Sequence, residues 1–426
     1  MENSLTMQRQ EENKTKNAYV FFVLFFYLFL ARDWLEVHWS IFGYIDDLLA
    51  VLAIPLWLMN LYANKFVIRL RRGGYGIYLM LFTLCGVLGT LVYHYQPLIQ
   101  CALPDLFLCL KFWLAIYTGR YVFQYLRVDL YAKKIFFHIR IVTWIFTILI
   151  ILDNIFFLFP ESIRYGLRST QLFYTHPTVF VSLCLLMVVI LISIKDYING
   201  STKYLIWLCL LICTTLRSKA FGAVMAIVLI YYFTIIRKKK IKLRTFLMFI
   251  PLVIAVAWEQ IEFYFLSSVQ FDSARYQLLV KAVYIAFDHF PFGAGFGTYA
   301  SYFSAIFYSP LYNLYRISNV YGLREGAAFF VNDSFWPTIL GETGWIGMLF
   351  YLLVLWALFK QIQKIKEYNL AFYMSALCIL AYEMIASAAE SAFFHPLAIS
   401  LAMWLGFLMQ AADRNVKMIG DEYNSK

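Results

Sequence analysis

Arg217 and Lys219 share a connection of a few residues, Thr214-Thr215-Leu216-Arg217-Ser218-Lys219, between two apolar runs. A guanidinium and an ammonium held beside hydroxyls at headgroup depth suit a phosphate group, because Arg grips phosphate oxygens bidentately. The competing reading is snorkelling to ordinary lipid phosphates. Arg275 poses a sharper question. Ser273 is placed to cap a helix running to about Phe290, which Pro291 and the glycines after it end. On a helical period Gln277, Lys281, Tyr284 and Asp288 share one face, while Leu279, Ala282, Val283, Ala286 and Phe290 share the other, and Arg275 projects with them. A cation on the packed side needs an anion, either a carboxylate or a ligand, since an unpaired buried charge is strongly destabilising.

The elements that must position these groups are membrane helices. The chain is 62% hydrophobic and 14% charged, with mean hydropathy +0.68, against about a quarter charged residues in soluble domains. Apolar stretches of about 17–25 residues recur and predict an all-α polytopic membrane protein with about twelve transmembrane helices. They lie near 17–31, 42–63, 74–93, 102–125, 140–160, 176–194, 204–216, 219–236, 245–261, 335–359, 370–389 and 394–411. The seventh is short, so it and the eighth are open to reading as a tight re-entrant hairpin around Arg217. Ala18–Ala31 is followed by Arg32-Asp33 without a small-residue cleavage site, which reads as a retained anchor.

The basic run Arg237-Lys238-Lys239-Lys240-Ile241-Lys242-Leu243-Arg244 resists translocation and so fixes one side as cytoplasmic. Counting outward puts the other basic connections and both termini on that side. Residues 1–261 then hold the first nine spans with short loops, 262–333 form one large extracytoplasmic loop containing short helices, and 334–426 hold the last three spans and a cytoplasmic tail. Few cations fall outside: Arg164, Arg168, Arg217, Lys219, Arg275, Lys281, Arg316 and Arg324.

Several function classes are disfavoured. The net charge of +11 sits mostly in short connections, where topology explains it, so nucleic acid is not expected as a partner. Seven cysteines lie in or beside apolar spans with no C-x-x-C pair, and behave as small hydrophobes. The outer-side histidines and carboxylates show no ligand spacing, so neither a metal nor a cofactor is expected. Pro291-Phe292-Gly293-Ala294-Gly295-Phe296-Gly297 follows a helix and is not a nucleotide motif; it reads as a side-chain-poor turn that lets backbone approach something closely. Asp153 and Glu383 lie within apolar spans, where an acid either works or pairs with a neighbouring cation. No internal repeat is visible, which counts against an inverted-repeat transporter.

The stretch Ser273-Ala274-Arg275-Tyr276, then Ala282, then His289 to Gly297 resembles the "R…W…A…P-x-x-G-x-G" pattern of the O-antigen polymerase and ligase family. Asn332-Asp333-Ser334-Phe335 through Glu342-Thr343-Gly344-Trp345-Ile346-Gly347 resembles that family's "HN-x-x-L…E-x-G-x-x-G" entry into a span, and Arg217-Ser218-Lys219-Ala220 its "S-R-(G/S)-A" element. Arg164 through His176-Pro177-Thr178 is similar to the segment that ends in an Asn-Pro-Asn-like span start. Together these cover roughly 160–350. Where the ligases carry a histidine this chain has Asn332-Asp333, which favours a polymerase over a ligase.

The resemblance implies a glycosyltransferase of the bacterial cytoplasmic membrane. It would transfer glycan from an undecaprenyl-pyrophosphate carrier to a sugar hydroxyl on a second lipid-linked repeat, with a flippase and a chain-length regulator as partners. Such chemistry needs an anion site for the departing pyrophosphate, for which Arg217, Arg275 and Lys219 are the candidates. It needs a base for the acceptor proton, with Asp333 preferred over Glu325 and His289. Aromatic surface would stack on sugars, from among Tyr299, Tyr302, Phe303, Tyr308, Tyr312, Tyr315 and Tyr321. Arg164, Arg168, His176, Arg324, Asn332 and Glu342 complete the expected substrate contacts. Plainer roles compete: Asp333 as a helix cap, the tyrosines as interfacial aromatics, and His176 and His395, each before a proline, as markers of helix entry. A lipid-linked-oligosaccharide flippase is the rival from another class, and a ligase the rival within the enzymes.

Overall fold

The computed structural model describes residues 2–63, 65, 74–160, 162–237, 241, 258, 262 and 273–424, with backbone only for 2–8 and 414–424. The expected ninth span (245–261), most of the basic run at 237–244 and the first part of the outer loop lie outside the described residues. The rest is an all-α polytopic membrane protein. Among the described residues, nine helical stretches are long and apolar enough to cross a membrane: Ser40–Ala63, Tyr75–Tyr93, Leu98–Val122, Val128–Phe156, Pro177–Tyr197, Ser218–Ile236, Phe335–Ile365, Leu370–Ser387 and Pro396–Asp413. Each coincides with an expected span. The seventh expected span is a shorter helix, Ser201–Cys213, and the first lies within the long helix Glu2–His38.

In chain order the α-helices are α1 (Glu2–His38), α2 (Ile45–Val51), α3 (Ala53–Ala63), α4 (Tyr75–Tyr93), α5 (Leu103–Val122), α6 (Val128–Phe156), α7 (Pro177–Ile194), α8 (Ser201–Cys213), α9 (Ser218–Tyr231), α10 (Ala274–Asp288), α11 (Tyr302–Ile306), α12 (Pro310–Leu314), α13 (Phe335–Ile365), α14 (Leu370–Ser387) and α15 (Pro396–Asn424). A two-residue hairpin, β1 (Ile163–Arg164) with β2 (Leu167–Arg168), pairs Ile163 with Arg168 and Arg164 with Leu167. Helix α7 carries apolar residues on every face and is buried along its whole length, as an all-round hydrophobic helix must be if it sits at the centre of a bundle. Helices α6, α8, α14 and α15 surround it. Helix α15 crosses α5 where Gly119 faces the Met403 backbone and Gly406 faces the Ile116 carbonyl, so that a side chain at either glycine would force the helices apart.

The segment following residue 273 has a small core of its own. Ala274, Leu278, Ala282 and Ile285 of α10 pack with Tyr299, Leu311 and Tyr312, and α10 lies against α13. The buried face of α10 is therefore rotated from the expected one: Leu278 and Ile285 point inward, while Leu279 and Phe290 are exposed. Ser273 stands at the N-cap position but makes no side-chain cap bond.

The glycine turn after Pro291 approaches the bundle itself. Helix α13 breaks at Gly344, whose φ of +66° no side-chain-bearing residue adopts without strain. The break frees two helical carbonyls, and the turn satisfies them: Ala294 N–H donates to Gly341 O (3.0 Å) and Gly295 N–H to Glu342 O (2.9 Å). Irregular backbone at membrane depth is tolerated only when buried in protein in this way. On the other side, Phe296 N–H donates to Thr90 Oγ1 of α4 (2.9 Å) and Gly297 N–H to Asp105 Oδ2 of α5 (3.0 Å).

Candidate functional site

The cations in the 214–219 connection are held by local backbone geometry. Leu216 takes a left-handed conformation (φ +52°), which turns the chain before Arg217, the residue that precedes α9 in extended conformation. The hairpin segment is tied to the same connection: Thr170 N–H donates to Thr214 O (3.0 Å) and Ser169 Oγ to Thr215 O (2.8 Å). These bonds bring Arg164 within electrostatic reach of Arg217. Arg217 is partly buried, and among the described residues its Nε has no hydrogen-bond partner. Burial first, and then the Arg164 charge, pull its guanidinium from the usual 12.5 down to about 10, with Glu390 opposing.

Lys219, the second residue of α9, forms an ion pair with Glu390, just beyond the end of α14. The charges of both Arg217 and Arg275 act on Lys219. Arg275 in turn lies 3.5 Å from Asp333. Burial raises the Asp333 carboxyl above its ordinary range, against the pull of Arg275. The N-cap of α13 is Ser334 rather than Asp333, so the carboxylate does not serve the helix end. Four of the expected residues, Arg217, Lys219, Arg275 and Asp333, thus meet in one cluster, with Arg164 at its edge.

His176 does cap a helix: its Nδ1 accepts from Thr178 N–H (3.3 Å) at the start of α7. It also faces the cluster, and burial together with the Arg217 and Lys219 charges lowers it to about 4, so it is neutral at physiological pH. Asn332 is exposed beside Asp333, and its carbonyl accepts from Ser391 Oγ, which ties the outer loop to the corner carrying Glu390. Three expected residues do not join. Arg168 is engaged by Asp153 (2.9 Å) and the Phe159 carbonyl. Arg324 is exposed and bonded to the Asn319 carbonyl. Glu342 is sealed beneath the glycine turn, accepting from Tyr299 N–H (3.1 Å).

The aromatic candidates divide in the same way. Tyr299 and Tyr312 are fully buried, with their hydroxyls bonded inside the outer segment, and are corrected from sugar platforms to core. Tyr302 and Tyr321 stay exposed. His289 is also inward, between Ile285 O and Tyr95 OH. Glu390 and His395 belong to the cluster although the sequence reading assigned neither to it. Glu390 acts on Arg217, Lys219, Asp333, His176 and His395. The one available signal was the helical face shared by Glu383, Ser387 and Glu390, and it reads equally well as packing.

No protein-family model matches the chain, and no curated protein matches it. What the arrangement does chemically must come from its charges. Arg217, Lys219 and Arg275, with Arg164 near, gather against the carboxylates of Glu390 and Asp333, each acid held by one cation. An incoming polyanion has cations to engage, and each ion pair it loosens releases a carboxylate next to it.

Proposed function

We propose that the protein is a polysaccharide polymerase of the bacterial cytoplasmic membrane, working on the outer face. The observation that carries this reading is the meeting of Arg217, Lys219, Arg275 and Asp333, which come from three separate stretches of chain that resemble O-antigen polymerase motifs. In the reaction, the acceptor hydroxyl of one lipid-linked repeat attacks the anomeric carbon of another glycan. The anomeric bond to the pyrophosphate oxygen breaks, and undecaprenyl pyrophosphate departs with the bonding electrons. Arg217 receives its developing charge, since its Nε has no other partner and burial makes a counter-anion welcome. Asp333 takes the acceptor proton; its raised affinity for protons suits a base. Arg275 orients Asp333 and, with Lys219, adds cationic charge for the diphosphate. The reading includes about twelve spans, both termini in the cytoplasm, residues 262–333 outside, and a flippase and chain-length regulator as partners. A strain lacking the protein should accumulate single repeats on the lipid carrier; unchanged long chains would overturn the reading.

One observation favours a flippase instead. Glu383 is fully buried in α14, and among the described residues neither carboxylate oxygen has a hydrogen-bond partner, a placement associated with transport pathways. Asp153 gives no such support, because Arg168 neutralises it. Proteoliposomes separate the two readings: movement of lipid-linked glycan without bond formation would identify a transporter.

A further inference from the structure

Beneath the glycine turn, away from the cationic cluster, two acids face each other in the interior. Asp105 lies in the first turn of α5 and Glu342 two turns into α13; each is 1% exposed. Each gives one oxygen to the turn, Asp105 Oδ2 to Gly297 N–H at 3.0 Å and Glu342 Oε1 to Tyr299 N–H at 3.1 Å. The remaining oxygens, Asp105 Oδ1 and Glu342 Oε2, are buried with no donor bonded to them among the described residues, and the two carboxyls lie within hydrogen-bond reach of each other. Cys109 sits one turn below Asp105, also buried, and the ligand atoms of Asp105, Cys109 and Glu342 all lie within 4.8 Å of one another. The Ser301 hydroxyl lies beside both carboxyls.

Two carboxyls facing each other in a low-dielectric interior need either a shared proton or a cation close by. Among the described residues no Lys or Arg pairs with either acid: of the two cations on α5, Lys111 is taken by Asp46 and Asp47, and Arg120 by Asp413. A divalent ion held by both would neutralise the two carboxylates together. A thiol with two carboxylates is a donor set that zinc accepts, whereas magnesium and calcium take oxygen alone.

We propose that Asp105, Cys109 and Glu342 bind one zinc ion, with the Ser301 hydroxyl oxygen at the fourth position. The ion fastens the 293–301 turn to α5 and α13. Because α10 packs on α13, it thereby steadies the helix that carries Arg275. No ligand spacing is visible along the chain because Glu342 lies far from the other two donors; only Asp105 and Cys109, four residues apart, share a helix. The inference is independent of the polymerase reading.

The test is metal analysis of full-length protein purified without a histidine tag, read beside its melting temperature. The expected result is about one zinc per chain, X-ray absorption showing sulfur and oxygen neighbours, and a melting temperature that falls on chelation and returns with added Zn²⁺. Asp105→Asn and the milder Cys109→Ser should each lower zinc content. Folded wild-type protein without stoichiometric metal, whose melting ignores both chelator and Zn²⁺, would overturn the proposal and leave the two carboxyls sharing a proton. Zinc retained in full by both variants, or an absorption spectrum lacking sulfur, would overturn it as well.

Discussion

Replacing Arg217 by Ala should separate stability from function, with the two effects opposite in sign. Burial pulls the guanidinium from 12.5 to about 10, and each unit of such a shift corresponds to about 1.36 kcal/mol. The side chain is only partly buried, so solvent screening reduces the net penalty of holding the charge to about 1–2 kcal/mol. Removing the side chain relieves that penalty, and the variant's melting temperature in detergent should stay level or rise by roughly 1–2 °C. Binding of a diphosphate, in contrast, loses charge-assisted hydrogen bonds worth about 1.5–3 kcal/mol each, which for a bidentate contact is a drop in affinity of at least about 100-fold. The assay pairs thermal unfolding of purified variant with glycan chain length in cells that depend on it. A melting temperature several degrees lower, or full-length glycan at normal protein abundance, would refute the reasoning, because Arg217 would then be either structural or dispensable.

Other outcomes follow from the same geometry. Asp333 accepts a proton only when ionised, and its carboxyl is raised, so activity should fall as pH drops through a value above the usual Asp range of about 3.9. Arg275→Gln removes the opposing charge and should move that fall to still higher pH in a pH–rate profile. His176 titrates at about 4, so His176→Gln should leave the profile between pH 5 and 8 unshifted. Arg168→Ala strands the buried Asp153 carboxylate and should cost about 3–5 kcal/mol of stability, visible as a lower melting temperature with chain length tracking only the protein that remains. Gly344→Ala combines a strained φ with collision against the Gly293 backbone and should destabilise by at least about 1–3 kcal/mol, measured by the same melt.

The membrane helices were legible because hydropathy reports burial in lipid directly. Every one of the nine long apolar helices falls where a run of hydrophobic residues lies in the sequence. Arg217 and Arg275 were legible for a related reason, being cations where cations are scarce. The face of α10 was misjudged, since this short helix carries Leu279 exposed beside Leu278 buried, and period alone cannot rank two adjacent apolar stripes. Tyr299 and Tyr312 looked like interfacial rings because nothing in the chain announces that residues 273–331 form a separate core. The partner of the glycine turn was equally hidden: the break at Gly344 and the carboxylate of Asp105 come from helices on either side of it in sequence. Glu390 entered the cluster through its pairing with Lys219, a contact across 171 residues that no local pattern encodes.

The central claim is that the outer-face cations grip a diphosphate ester. Binding of undecaprenyl pyrophosphate to the purified wild-type protein, set beside undecaprenol and beside the Arg217→Ala and Arg275→Ala variants, tests it most directly. The account predicts saturable binding of the diphosphate, none of the alcohol, and at least a tenfold loss in each variant. Equal affinity for alcohol and diphosphate, or variants that bind as well as wild type, would contradict it.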